Sequence, residues 1–207
     1  MRERIVHKRQ IVLYQGEATT QFYLIKSGIV RAYTILENDT EMNIALYGPG
    51  DFFPSSASTS RVAFSVFYYE TMSPAVLEAY PAEEFATVKR KLLAEQPEYW
   101  SHRYLGALLH INALAQVSAA RKIAYGLQYL AIRFGAELMG GKYTRIDMKL
   151  TQQDIAALCG VSRETTNLEL GKLRDKNILT EKSKFYSIDM KALTKLLGDD
   201  AIQNIEL

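Results

Sequence analysis

The stretch Leu150-Thr-Gln-Gln-Asp-Ile-Ala-Ala-Leu-Cys-Gly-Val-Ser-Arg-Glu-Thr-Thr-Asn-Leu-Glu-Leu-Gly171 contains two helix starts and one helix stop. Thr151 followed by Asp154 is a Thr-x-x-Asp capping pattern ahead of an apolar face made by Ile155 and Leu158. Gly160 can end that helix in the left-handed region, and Ala156 and Gly160 are the small residues that let a second helix cross closely. Val161 is expected to plug the turn, Ser162 to cap the next helix through its side-chain oxygen, and Leu170 and Leu173 to anchor it inward. Helix, short glycine-containing turn, helix is the helix-turn-helix pattern; a helical hairpin with no nucleic-acid role is the competing reading.

Working outward, Ile178-Leu-Thr-Glu-Lys-Ser-Lys-Phe-Tyr-Ser-Ile188 reads as two short strands around a basic turn, a wing that places Lys182 and Lys184 near a phosphate backbone. Upstream, Ser118 can cap a helix over Arg121–Phe134 with Ile123, Leu127, Leu130 and Phe134 on one stripe. After Pro97 a long helix runs through residues 98–117. Leu105, Leu109, Asn112 and Gln116 recur on it at spacings of four and three, with Leu108 and Ala115 alongside. That is an apolar seam with polar breaks, suited either to a parallel helix pair or to packing on the chain's own domain. The first 80 residues read instead as strands: 10–16, 21–28, 29–36 and 42–47 are rich in β-branched and aromatic residues, with glycine or Asn-Asp between them. An antiparallel sandwich or barrel is expected there, with Ser118 as the domain hinge.

Composition narrows the function classes. The chain of 207 residues is 48% hydrophobic and carries a net charge of +2, ordinary for a soluble globular protein. No apolar run approaches a membrane span and the first residues lack a signal-peptide pattern, so a cytoplasmic location and no membrane partner are expected. Charge is unevenly spread. Residues 118–186 hold 12 basic and 7 acidic residues, whereas 1–117 hold 11 and 12. The surplus in the second half is either an electrostatic footprint for nucleic acid or a solvated face. The single Cys159 excludes an internal disulfide and a multi-cysteine metal or iron–sulfur site, and His7, His102 and His110 lack metal-ligand spacing. No phosphate-cradling glycine loop and no nucleophile–base pair stands out, so catalysis is not expected; an enzyme on a small β-barrel has only scattered Tyr, His and Glu in its favour.

With these residues in view, the chain resembles the cyclic-AMP receptor / fumarate–nitrate regulator (CRP/FNR) superfamily of bacterial transcription regulators. Ser162-Arg-Glu-Thr165 matches the family's recognition element, and Tyr14-Gln-Gly-Glu17, Tyr23-Leu-Ile-Lys-Ser-Gly-Ile-Val-Arg31 and Tyr47-Gly-Pro-Gly-Asp-Phe-Phe53 match successive strands and turns of its sensor. The resemblance covers nearly the whole chain and implies an α+β fold. A cupin-like antiparallel β-roll over 1–97, similar to a cyclic-nucleotide-binding domain, would be followed by a dimerisation helix over 98–117 and a winged helix-turn-helix over 118–207. It implies that Arg163 and Glu164 meet base edges and Ser162 and Thr165 lie near phosphates. The chemistry agrees, since an arginine fork suits guanine O6 and N7 and a carboxylate accepts from cytosine N4. Glu164 also complements the helix N-terminus. It further implies a homodimer on double-stranded DNA, with RNA polymerase as a further partner.

Two places depart from the family pattern. Many relatives carry an arginine one turn beyond the glutamate, where this chain has Leu168. Either Leu168 packs on a thymine methyl or lies against sugar while Asn167 supplies a hydrogen bond to adenine, or Leu168 is core. In the sensor, Gly50-Asp-Phe52 is followed by Phe53-Pro-Ser-Ser56 without the family's Gly-Glu-Leu, and the region of its phosphate-binding arginine reads Ala63-Phe-Ser-Val-Phe-Tyr-Tyr-Glu70. Arg61 is the one cation nearby. Without a partner for a buried phosphate, cyclic AMP is not expected, nor is haem or an iron–sulfur cluster. Phe52, Phe53, Phe64, Phe67, Tyr68 and Tyr69, with Trp100 and Tyr104 from the long helix, either line a pocket for a neutral effector or fill the roll. The expectation is a homodimeric regulator of inverted-repeat DNA controlled by a small molecule other than cyclic AMP. Its alternatives are an effector-independent regulator and a sensor dimer whose helix pair contacts protein.

Overall fold

The computed structural model describes residues 2–54, 64–95, 97–138 and 140–198, which divide into two compact units, 1–100 and 101–207. In the first unit β1 (Arg2–Val6), β2 (Ile11–Leu13), β3 (Gln21–Ser27), β4 (Val30–Ile35), β5 (Glu41–Tyr47), β6 (Phe52–Phe53), β7 (Tyr68–Thr71) and β8 (Ala75–Pro81) build two antiparallel four-stranded sheets. Their orders are β1-β8-β3-β6 and β2-β7-β4-β5. Because successive side chains on a strand face opposite ways, Tyr23 and Ile25 point between the sheets while Phe22 and Leu24 point out. The inter-sheet core comprises Val6, Val12, Val30, Ala32, Leu77 and a cluster of rings. The outer face of the first sheet is closed by Phe85 of α1 (Phe85–Glu95) and by Tyr99.

Tight turns hold the strands in register. In the Gly48-Pro-Gly-Asp51 turn the Asp51 carboxylate accepts from the Gly48 N–H at 2.7 Å and the Asp51 N–H returns to the Gly48 carbonyl at 3.0 Å. Gly28 has φ +88, and a Cβ there would run into the Pro74 carbonyl, so no other residue fits without moving the neighbouring chain.

The long helix is α2 (Tyr99–Ala115). Ser118 caps α3 (Ala119–Phe134) by accepting from the Arg121 N–H, which fixes the break after α2. Strand β9 (Gly135–Glu137) pairs with β10 (Thr144–Ile146), and α4 (Gln152–Cys159) and α5 (Arg163–Asp175) follow. The hairpin of β11 (Leu179–Lys182) and β12 (Phe185–Ile188) joins β10 and β9 in a third sheet, ahead of α6 (Met190–Leu197). Ile123, Leu127 and Leu130 of α3, Ile155 of α4, Leu170 of α5 and Leu193 of α6 are all fully buried.

Candidate nucleic-acid interface and sensor roll

The two helices of the quoted stretch are set by local bonds. At α4 the Thr151 side chain accepts from the Asp154 N–H while the Asp154 carboxylate accepts from the Thr151 N–H at 2.8 Å, a complete capping box. Gly160 takes φ +62, and the Gly160 and Val161 N–H groups both bond the Ala156 carbonyl, satisfying an acceptor left open by the helix end. Ser162 then accepts from the Thr165 N–H at 3.1 Å and donates to the Thr165 hydroxyl at 3.0 Å.

Thr166, Leu170 and Leu173 are the inward face of α5. Arg163, Glu164, Asn167 and Leu168 are exposed together on the opposite face, with Leu168 59% exposed. Leu168 is therefore not core. Asn167 is not free either: its side-chain carbonyl accepts from the Gln152 amide of α4 at 2.8 Å. The wing turn sits beside this face. Ser183 and Lys184 both adopt positive φ, +53 and +67, and the Lys184 carbonyl accepts from the Leu150 N–H at 3.0 Å, tying the turn to the start of α4. A groove of about 540 Å³ results, lined among others by Gln152, Gln153, Arg163, Glu181 and Lys184. It brings Arg163 of α5 and Lys184 of the wing turn to one concave surface, and Lys182 ends the adjoining strand. Gln152 and Gln153 carry no signal in the sequence beyond their place in the first turn of α4.

The unit's interior is committed to packing. The Cys159 thiol is buried and pushed up to about 12 by that burial, so it stays protonated near neutrality and is a poor nucleophile. A Cβ on Gly126 would meet its sulfur at 2.5 Å, which marks how closely α3 and α4 approach. The His110 Nε2–H donates to the Leu158 carbonyl at 2.9 Å and its ring stacks on Tyr129, so α2 closes an open acceptor at the end of α4.

On α2 the expected seam residues divide between the two sides of the helix, with Leu108 and Ala115 exposed. Leu109 is buried, Leu105 and Asn112 are half-buried, and Gln116 donates to the Asn112 carbonyls and accepts from Arg121 Nε at 3.0 Å. The open apolar stripe is Tyr104, Leu108, Ile111 and Ala115, which repeats at the same spacings of four and three. Gly106, Leu109, His110 and Ala113 are buried on the inward side of the helix.

In the roll, the eight aromatic residues expected either to line a pocket or to fill the roll are dispersed. Phe52 and Phe53 are consecutive on β6, and Tyr68 and Tyr69 on β7, so strand alternation sends each pair to opposite faces. Phe53 stacks on Tyr23 and Tyr69 at 5.3 and 5.1 Å between the sheets, with Tyr47 tilted against Phe53 and Tyr69 and Phe67 packed at the margin. Phe52 lies outside with Phe85, Tyr99 and Trp100. Tyr68 stacks on Tyr33, Phe64 is exposed, and Tyr104 is 68% exposed on α2 in the other unit.

The comparisons with known proteins fit this architecture. Residues 3–90 match the cyclic nucleotide-binding domain family and residues 121–196 the Crp-like helix-turn-helix domain. The regulatory protein HlyX of Actinobacillus pleuropneumoniae is 25% identical over 193 residues, covering 91% of this chain and 78% of that protein. The fumarate and nitrate reduction regulatory protein of Yersinia pestis is 24% identical over 204 residues, covering 96% and 79%. The chain belongs to the CRP/FNR superfamily. Two solved CRP/FNR folds superimpose along the chain: FixK2 from Bradyrhizobium japonicum with a TM-score of 0.73 at 20% identity, covering 97% and 98%, and a CRP-family regulator from Thermus thermophilus with 0.74 at 19%, covering 96% and 97%.

The helix-turn-helix regulators of this superfamily bind DNA, act as dimers and are not enzymes. Among the described residues, the cluster between the two sheets of the roll is built of aliphatic and aromatic side chains. The buried Arg31 lies outside that cluster and is held by Glu41 at 2.6 Å and Glu70 at 3.2 Å. Ser55, Ser56 and Arg61 lie outside the described residues. Among the described residues no helix is long and apolar enough to cross a membrane, and no three His, Cys, Asp or Glu side chains gather as a metal site.

Proposed function

We propose that this CRP/FNR regulator binds an inverted-repeat DNA site as a homodimer and does not respond to cyclic AMP. The observation that carries the reading is the outward face of α5, where Arg163, Glu164, Asn167 and Leu168 are exposed beside the Lys182–Lys184 wing. Arg163 and Glu164 read base edges in the major groove, and Ser162, Thr165, Lys182 and Lys184 contact the phosphate backbone. A second copy covers the apolar stripe Tyr104, Leu108 and Ile111 of α2, a heptad seam that sets the two recognition helices about one DNA turn apart. RNA polymerase is the further partner. Control rests either with a small molecule other than cyclic AMP or with no effector; the aromatic filling between the sheets favours the second.

Site selection from a random duplex pool, with a salt series on the selected site, tests the reading. The expected result is a palindrome of two half-sites and an affinity whose logarithm falls linearly with the logarithm of salt concentration. Binding that ignores salt, or an unselective pool, rejects the DNA-reading role. A saturable thermal shift with cyclic AMP rejects the reading of the roll.

A further inference from the structure

Position 167 is joined to a residue of the other helix. The Gln152 Nε2–H of α4 donates to Asn167 Oδ1 at 2.8 Å, across fifteen residues of chain and on the surface that α5 presents. Bidentate recognition of adenine by asparagine needs Oδ1 to accept from N6 and Nδ2 to donate to N7. Here Oδ1 is turned to α4, which leaves the amide nitrogen, a donor only, as the outward group. Its neighbour on the same face is Leu168, 59% exposed and without polar atoms. A donor beside an apolar group matches one base edge in the major groove: thymine, which presents the O4 acceptor and the C5 methyl.

We infer that Gln152 is a positioning residue that occupies Asn167 Oδ1 and so presents the Asn167 amide nitrogen outward, so that the pair facing Asn167 and Leu168 is read as thymine and not as adenine. The inference rests on the DNA-binding reading and deepens it at one base pair. Gln152 touches no base; it acts by engaging the acceptor end of the Asn167 amide.

The test is parallel site selection with the wild-type protein and with Asn167→Ala, Gln152→Ala and Gln152→Glu. Asn167→Ala locates the base pair as the position whose preference is lost. At that pair the wild type enriches thymine. Gln152→Ala frees the amide to rotate, so the thymine preference falls by on the order of tenfold. Glutamate can only accept, so in Gln152→Glu the amide nitrogen of Asn167 turns to α4 and Oδ1 faces out. The preference then moves to a base that donates, adenine or cytosine. A carboxylate in the first turn of α4 is compatible with the helix, and melting curves confirm that each variant is folded.

A simple structural role for Gln152 would lower affinity on all sequences alike and leave the base preference in place. Wild-type enrichment of any base other than thymine at that pair, or the same base retained by both Gln152 variants, overturns the inference while leaving a selected palindrome, and with it the regulator, standing. A wild-type protein that selects no sequence overturns both.

Discussion

The recognition helix and the β-roll make opposite use of the residues that differ from the superfamily pattern. On α5 the departure falls on the outward face: Leu168 is exposed beside Asn167, while Thr166, Leu170 and Leu173 hold the helix to its unit. In the roll, Phe53 and Tyr69 fall inside and stack with Tyr23 and Tyr47. A helix surface can change what it reads without changing what it packs against. A sheet interior cannot, because each added ring takes up the volume a ligand would need. The comparison therefore separates a change on an exposed helix face from a change inside a packed core.

The largest test of that contrast is truncation on each side. Phe53→Ala should cost about 3–5 kcal/mol of stability, the range for removing a buried aromatic ring, measured by denaturant unfolding. Leu168→Ala should stay within about 0.5 kcal/mol, as expected for a surface position away from packing. A loss near 1 kcal/mol for Phe53→Ala would show that the ring borders open space, and the roll would again be a candidate pocket.

Next in size is Gly126 of α3. Alanine is the better helix former by about 1 kcal/mol, so an unhindered Gly126→Ala would stabilise the unit. A Cβ there meets the Cys159 sulfur at 2.5 Å, and overpacking of this kind costs about 1–3 kcal/mol. Net destabilisation is the expected sign, and a double-mutant cycle with Cys159→Ala should recover part of it. Stabilisation by Gly126→Ala would mean that α3 and α4 have slack.

The helix-turn-helix was legible because its signals are local: Thr151 with Asp154, Gly160 and Ser162 each act within a few residues of themselves. Strand β1, with its three charged residues, and α6 carried weaker patterns and were not anticipated. The seam of α2 shows a limit of periodicity. Residues 105, 109, 112 and 116 and residues 104, 108, 111 and 115 have identical spacing, and only the tertiary burial of His110 and its neighbours selects between them. The aromatic residues of the roll divide for a different reason. Consecutive strand residues cannot share a face, which Phe52-Phe53 and Tyr68-Tyr69 already state in the sequence. The Gln152–Asn167 bond was illegible, since it depends on how α4 and α5 cross.

The smallest effect concerns the wing, and it separates positioning from reading within the DNA-binding unit itself. Lys184 adopts φ +67 and its carbonyl holds the Leu150 N–H, so the substitution must remove the charge without straining the turn. Asparagine tolerates the left-handed region and leaves the backbone carbonyl in place. Lys184→Asn should therefore keep the fold, weaken binding about equally on all duplexes, and reduce the slope of log affinity against log salt by about 1. The selected half-site should not change, because a phosphate contact carries no direct sequence information. A changed base at one symmetric position would place Lys184 inside the groove with Arg163, and the division between a reading helix and a positioning wing would have to be redrawn.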